Sequence, residues 1–160
     1  MSLSPVVPTA FEPEFIDALR QMNEELISFH KVLGLQLVEV TPQRARARML
    51  MKPELVGHFM SGRIHGGAIS AALDAMAGVA VMAAIAAKHM DEPVMQRMQR
   101  FGKLGTIDLR VDFLRQGIGH VFGVNAEVLR LGSRVASTRM EFVAEDGTLL
   151  ATGAAAYIVS

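Results

Sequence analysis

The spacing of apolar residues predicts one helix and two strands in the first third of the chain. We expect residues 1–12 to form a loose tail. Apolar positions then recur at helical spacing over 13–33, and Gly34 ends the helix. We expect this helix to pack on the fold, although a lid over an apolar ligand is an alternative. The segments 35–41 and 44–51 alternate between apolar and other residues, which predicts two strands. The apolar helical positions are Phe15, Leu19, Met22, Leu26 and Phe29.

A long, predominantly apolar run from Ala68 to Ala87 predicts a helix that is buried on all sides. Asp74 is the only charged residue in this run. Burial of an isolated carboxylate is costly, so such a group is usually either paired or used for function. The run follows the turn His65-Gly66-Gly67, whose glycines allow close approach of a ligand to the backbone. Free N–H groups at a helix start attract negative charge, so we expect the turn and Asp74 to be functional and the helix to span 65–87.

The C-terminal part of the chain predicts four consecutive strands after a polar connector. In the first of them, strict alternation places Ile107, Leu109, Val111 and Phe113 on one face, which we expect to face the core. Short turns containing glycine join the strands, so the sheet is mainly antiparallel. The order of elements predicts an α+β fold in which an antiparallel sheet wraps a long central helix. The four strands are predicted over 106–113, 121–131, 134–144 and 149–158.

Length and composition indicate one domain that assembles with copies of itself. The chain has 160 residues, enough for a single domain over 1–160 with its own core. Lys plus Arg and Asp plus Glu are both 16, and this balance gives no indication of a nucleic-acid partner. A chain of zero formal charge with 51% apolar residues favours oligomerisation. The chain has no cysteine, so disulfides and thiolate chemistry are excluded.

The sequence favours a cytoplasmic protein over a secreted or membrane-spanning one. The N-terminus lacks the basic segment followed by an apolar segment that forms a secretory signal. The run 68–87 is long enough to cross a bilayer. Its richness in alanine and glycine, the presence of Asp74 and the amphipathic strands that follow favour a buried helix. We therefore expect no membrane span.

The distance between Asp74 and the glycine turn predicts a shared active site. Asp74 lies eight positions after Gly66, which is roughly 12 Å along a helix at about 1.5 Å per residue. A carbonyl bound to the N–H of Gly66 or Gly67 is therefore out of reach of Asp74 on the same helix. A two-fold dimer with antiparallel central helices brings each helix start to the middle of the other helix. We expect a homodimer or homotetramer with the active site at the subunit interface.

The combination of a glycine turn and a carboxylate suits acyl transfer. The N–H groups of Gly66 and Gly67 can polarise a carbonyl and bind the oxyanion that forms from it. The carboxylate of Asp74 can take a proton from water or attack directly. A thioester is a suitable target because a thiolate leaves with little acid assistance. From the residues alone, an Asp74 that is purely structural remains an alternative.

Other catalytic groups receive no support from the sequence. His58 and His65 are seven positions apart, and neither HExxH nor CxxC occurs. A serine nucleophile would be indicated by GxSxG, which is absent. We therefore expect neither a metal nor a cofactor.

Residues 53–158 resemble the hotdog-fold acyl-CoA thioesterases of the PaaI-like branch. The resemblance rests on His65-Gly66-Gly67 with Asp74 two turns later, and on the strand Gly105–Arg115. Within this group the chain is most similar to bacterial medium- and long-chain acyl-CoA thioesterases, over nearly its whole length. The resemblance implies a hotdog fold and hydrolysis of acyl-CoA to free acid and CoA.

The resemblance also implies roles for individual residues. Gly66 or Gly67 would polarise the thioester carbonyl, and Asp74 from the partner subunit would activate water or attack. His65 would orient the loop. Many relatives carry an asparagine in this loop, but this chain has none between Pro53 and Ile64. His58 is the candidate substitute for that asparagine.

Candidate substrate-binding residues lie on the central helix and on the strand that follows it. Met82 and other methionines near it favour a fatty acyl group over a charged or hydroxylated one. Arg110 and Arg115 are candidates to contact the phosphates of CoA, although exposure to solvent would explain either of them.

Two other functions remain open. The segment Gly57-His58-Phe59 is similar to the start of the 3-hydroxyacyl thioester dehydratase motif of the same fold. The prolines expected after it are missing, because Met60, Arg63 and Gly66 occupy those positions. A non-catalytic acyl-CoA-binding module is the second alternative, and it would bind the thioester without turnover.

Overall fold

The computed structural model describes residues 10–160. The tail predicted over 1–12 lies outside the described residues except at its end, where the chain is packed. Phe11 is buried, and its ring centroid lies 4.7 Å from that of Phe15. The residues immediately before the first helix therefore belong to the folded core.

The helix predicted over 13–33 is divided in the structure. Ile27 has an extended backbone (φ −80°, ψ 100°) and its N–H donates to the carbonyl of Met22, as in a π-helical turn. The apolar stripe consequently changes direction, so that Leu26 and Phe29 are 68% and 57% exposed. In chain order the three segments are helix α1 (Pro13–Arg20), a π-helical segment (Gln21–Leu26) and helix α2 (Ser28–Leu33).

Six strands form one antiparallel sheet, and two short strands form a separate hairpin. The strands of the main sheet follow the predicted strands to within one residue at each end. The eight strands are β1 (Leu35–Val40), β2 (Arg44–Leu50), β3 (Val56–His58), β4 (Arg63–Ile64), β5 (Gly105–Phe113), β6 (Val121–Leu131), β7 (Val135–Ala144) and β8 (Leu149–Ile158). The main sheet has the order β1-β2-β6-β7-β8-β5, and β3 pairs with β4 inside the predicted loop over 53–64.

The central helix α3 spans Gly66–Ala87, and His65 is its N-cap. It packs on β6, β2 and β7, and buries Leu73, Met76 and many small residues. The helix is long and apolar enough to cross a membrane, with a mean hydropathy of 1.9, but 67% of its most apolar window is buried inside the fold. The antiparallel sheet around one central helix confirms the predicted α+β fold.

A short helix α4 (Val94–Gln99) connects α3 to β5 and ties the N-terminus to the fold. Its Arg97 is 2% exposed and forms an ion pair with Glu12. The same guanidinium lies 5.0 Å from the ring centroid of Phe15. These contacts hold α1 against the connector that leads into β5.

Strand β5 is an edge of the sheet, and its apolar side chains are less buried than predicted. A bulge between Thr106 and Asp108 turns Ile107 outward, where it is 56% exposed. Phe113 is 54% exposed, while Leu109 and Val111 are half-buried. The expectation that all four alternating residues face a closed core is therefore wrong, because only β8 flanks this strand.

Candidate active site

The start of α3 presents one N–H group that is free of protein partners within residues 10–160. The N–H of Gly67 donates to Nδ1 of His65 at 2.8 Å, so the histidine caps the helix. A side chain at Gly67 would place its Cβ 2.9 Å from that nitrogen, which explains the glycine. The N–H of Gly66 has no hydrogen bond to any described residue. Of the two predicted oxyanion donors, Gly66 is thus the available one.

The capping histidine is fixed by the loop that precedes the helix. The N–H of His65 donates to the carbonyl of Leu55 at 2.8 Å. Gly57 lies against the same residue, since a Cβ there would be only 2.5 Å from the Cα of His65. The N–H of Ile64 donates to the carbonyl of Gly117. Backbone contacts with Leu55, Gly57 and Gly117 therefore fix the residues that precede Gly66, and with them the position of its N–H.

Asp74 is half-buried and is held through one of its two carboxylate oxygens. Oδ1 accepts hydrogen bonds from Oη of Tyr157 at 2.6 Å and from Oγ1 of Thr106 at 2.8 Å. Oδ2 accepts no hydrogen bond from the part of the chain that the structure describes. The carboxylate is thus partly satisfied, as the structural alternative requires, yet one oxygen remains available for chemistry.

Two titratable groups lie close to this carboxylate. Burial raises the pKa of Tyr157, and the hydrogen bond to Asp74 raises it further, so the phenol stays protonated. Burial lowers the pKa of His30 on α2, while a hydrogen bond with the backbone of Asn23 and the charge of Asp74 oppose this effect. Oδ1 of Asp74 therefore accepts from a neutral phenol and a hydroxyl, and the charge of Asp74 also acts on His30.

A groove of about 420 Å³ lies beside the start of α3. The ring of Phe113 lies over Gly66, whose Cβ position would be 3.3 Å from ring carbons. Arg63 and Arg115 also line the groove, and the guanidinium of Arg115 donates to the carbonyl of Leu149 at 3.0 Å. The groove therefore combines an apolar wall, a hydrogen-bond donor and positive charge.

The other predicted site residues lie on three different elements. Nδ1 of His58 contacts Oγ and the backbone N–H of Ser61 within the β3–β4 hairpin, so this nitrogen is engaged in the turn. Met82 is half-buried two helical turns beyond Asp74 and packs on the core. Arg110 is largely exposed and pairs with Asp112.

One chain does not bring Gly66 and Asp74 together. Asp74 contacts Thr106 at the beginning of β5, whereas Gly66 packs on Phe113 at the end of the same strand. Both residues are therefore aligned with the free edge of the sheet, at opposite ends of one strand.

The sequence did not reveal the partners of Asp74. Thr106 and Tyr157 lie 32 and 83 positions away from Asp74 along the chain. Tyr157 is the only tyrosine of the chain and lies at a buried position of the last strand. A buried phenol usually has a hydrogen-bond partner. The buried position of Tyr157 was therefore the one sequence signal for a partner of Asp74.

The sequence profile of the thioesterase superfamily matches residues 61–151 of this chain, which include the glycine turn, Asp74 and most of the sheet. With the antiparallel sheet around α3, this match shows that the chain belongs to the thioesterase superfamily and has its hotdog fold.

Two curated relatives and one solved structure extend the similarity to most of the chain. The chain is 36% identical over 145 residues to the medium/long-chain acyl-CoA thioesterase YigI of Salmonella typhimurium, covering 89% of this chain and 94% of the relative. The Escherichia coli protein of the same name is 34% identical with the same coverage. A crystal structure of a Shewanella oneidensis protein related to the thioesterase superfamily has a TM-score of 0.82 and 35% identity, covering 94% of this chain and 100% of that one. The predicted resemblance to hotdog-fold acyl-CoA thioesterases is confirmed.

Proposed function

We propose that this protein hydrolyses medium- or long-chain acyl-CoA to a free fatty acid and CoA. The observation that carries the proposal is a pair of groups that accept or donate no hydrogen bond within residues 10–160, the N–H of Gly66 and Oδ2 of Asp74. Both occur in a chain of the thioesterase superfamily whose relatives are named medium/long-chain acyl-CoA thioesterases. The same similarity favours hydrolysis over dehydration and over binding without turnover.

In this mechanism the N–H of Gly66 binds the thioester carbonyl oxygen and stabilises the oxyanion. Oδ2 of Asp74 takes a proton from water as the water oxygen attacks the carbonyl carbon. The tetrahedral intermediate then expels CoA as a thiolate, which receives the proton from Asp74. In the alternative role, Oδ2 attacks the carbonyl carbon directly, the C–S bond breaks with release of CoA thiolate, and water then hydrolyses the resulting anhydride.

The proposed site requires two copies of the chain, and the edge of the sheet offers a way to join them. Antiparallel pairing of two β5 strands about a two-fold axis near the middle of the strand brings the Thr106 end of one chain beside the Phe113 end of the other. Because Asp74 contacts Thr106 and Gly66 packs on Phe113, each Asp74 then approaches Gly66 of the second copy. The pairing would also cover exposed apolar side chains of this edge strand.

Mixing two inactive variants tests this shared site. We expect Asp74→Asn and Gly66→Pro to be nearly inactive alone, and to recover about one quarter of native activity when co-refolded in equal amounts. Half of the randomly formed dimers contain both variants, and each of these has one intact site of two. The measurement is thiol release from lauroyl-CoA, with each variant refolded alone as the control. No recovery despite formation of mixed dimers would place the complete site within one chain.

A series of acyl-CoA substrates tests the proposed function itself. We expect kcat/KM to rise from acetyl-CoA to octanoyl- and lauroyl-CoA by at least ~100-fold, because each additional buried methylene contributes about 0.8 kcal/mol. Thiol release is followed with a chromogenic disulfide, and phenylacetyl-CoA serves as an aromatic comparison. Absence of thiol release for every substrate would contradict the proposal. Formation of an enoyl thioester from a 3-hydroxyacyl-CoA would instead support dehydration.

Three finer assignments are part of the same proposal. Membership of the PaaI-like branch rests on the glycine turn and on the spacing to Asp74. A cytoplasmic location agrees with the absence of cysteine and with a CoA ester as substrate. Contact of Arg110 and Arg115 with the CoA phosphates is supported for Arg115 by its place in the groove beside Gly66.

A further inference from the structure

Tyr157 connects the last strand of the sheet to the carboxylate of Asp74. Its side chain is 2% exposed, and its Oη lies 2.6 Å from Oδ1 and 2.8 Å from the backbone oxygen of Asp74. A phenol has one proton to donate, so these two acceptors share a single donor. The side-chain contact is the shorter of the two.

The position of this phenol follows from the register of two neighbouring strands. Thr106 on β5 and Tyr157 on β8 are paired, and both reach Oδ1 of Asp74. Two donors on one oxygen fix the rotation of the carboxylate about its last bond. Without them the group could exchange its two oxygens and lose the orientation that keeps Oδ2 accessible.

We propose that Tyr157 is a positioning residue for the proposed thioester hydrolysis, on which this inference rests. Its hydroxyl group holds Oδ1 of Asp74 so that Oδ2 faces the water to be activated. Tyr157 does not contact the substrate and acts only through Asp74. Because it lies on the inner neighbour of the edge strand, it supports the carboxylate from within the fold.

The electrostatics of the contact agree with this role. Because burial and the nearby carboxylate raise the pKa of Tyr157, the phenol remains a donor throughout the working pH range. The charge of Asp74 also acts on His30 of α2, whose pKa burial lowers.

The first test is Tyr157→Phe, which removes the hydroxyl and keeps the ring. We expect kcat with lauroyl-CoA to fall about 10- to 100-fold while KM stays within about twofold, because a donor to a charged group is lost and no substrate contact changes. A fall in kcat with an unchanged KM reports on the chemical step rather than on substrate binding.

Thr138→Val is the matched control for the loss of a buried hydroxyl. Thr138 on β7 donates to the carbonyl of Ala155 on β8 at 3.1 Å and makes no contact with Asp74. We expect its kcat and KM to be those of the native protein. Equal losses of kcat in both variants would overturn the inference, because the effect would then reflect the stability of the sheet.

The second test measures the contact between Tyr157 and Asp74 without the Tyr157→Phe variant. Tyr157 is the only tyrosine, so the ultraviolet absorbance of tyrosinate reports on this residue alone. We expect Tyr157 to ionise at a lower pH in Asp74→Asn than in the native protein, because the negative neighbour is gone. Identical ionisation in the two proteins would overturn the contact and with it the positioning role.

The two tests separate this inference from the proposed function. If the native protein hydrolyses no acyl-CoA, the proposed function is contradicted, and so is the positioning role of Tyr157. If the native protein is active and the Tyr157→Phe variant has native kcat, only the role of Tyr157 is overturned.

Discussion

Asp74→Asn is expected to reduce kcat for lauroyl-CoA by at least ~100-fold, the effect of removing a general base. This loss corresponds to about 2.7 kcal/mol in the activation barrier. Asparagine keeps an oxygen that accepts the hydrogen bonds of Tyr157 and Thr106, so the helix and strands stay in place. It replaces the free Oδ2 by an amide nitrogen, which cannot take a proton from water or attack a carbonyl.

Two measurements make this prediction specific to the chemical step. Thiol release gives kcat, and the affinity for a thioether analogue of lauroyl-CoA, which is not hydrolysed, should stay close to native. Asp17→Asn on the exposed face of α1 is the matched control and should have native activity. Asp74→Asn with native kcat would mean that the carboxylate is only structural. A native protein that binds the analogue but never releases thiol would be a binding module.

A labelling experiment distinguishes the two roles of Oδ2. In a single turnover in oxygen-18 water, activation of water places the label directly in the fatty acid. Attack by the carboxylate forms an anhydride, and hydrolysis at the aspartyl carbon leaves the label in Asp74. Label found by mass spectrometry in the peptide that contains Asp74 therefore establishes attack by the carboxylate, because general-base catalysis leaves Asp74 unlabelled.

The fold was predictable because its main elements have strong local patterns. The run Ala68–Ala87 is predominantly apolar, and strands such as β2 and β5 alternate between apolar and polar residues. The break at Ile27 was not predictable in this way. It depends on contacts with the fold, such as the N–H of Leu37 donating to Oε1 of Glu24 at 2.7 Å, which the helical spacing of 13–33 does not encode.

The candidate site was predictable in part, for a related reason. Asp74 was conspicuous because it is a lone charge in an apolar run, and Gly66 and Gly67 because they begin a helix. The hydroxyl groups that hold Asp74 come from distant strands, so only the strand register brings them together. The choice between the two glycines depended on the ring of His65, which uses the N–H of Gly67.

Gly66→Pro is expected to lower kcat for lauroyl-CoA by about 100- to 1,000-fold, the cost of removing one oxyanion donor. Proline lacks the backbone N–H, and Gly66 is the first residue of α3, where proline is well tolerated. His65 has φ −67° and ψ 135°, close to the extended backbone that a following proline favours. The variant therefore removes the proposed donor while helix α3 is retained.

Gly66→Ala is the matched control, because it adds a Cβ in the same place and keeps the N–H. That Cβ would lie 3.3 Å from ring carbons of Phe113, whose half-exposed ring can move slightly. We expect the alanine variant to keep kcat within about fivefold of native, and both variants to melt within a few degrees of the native protein. Equal losses of kcat in the two variants would assign the effect to crowding against Phe113. A large loss in the proline variant alone identifies the Gly66 N–H as the group that stabilises the oxyanion.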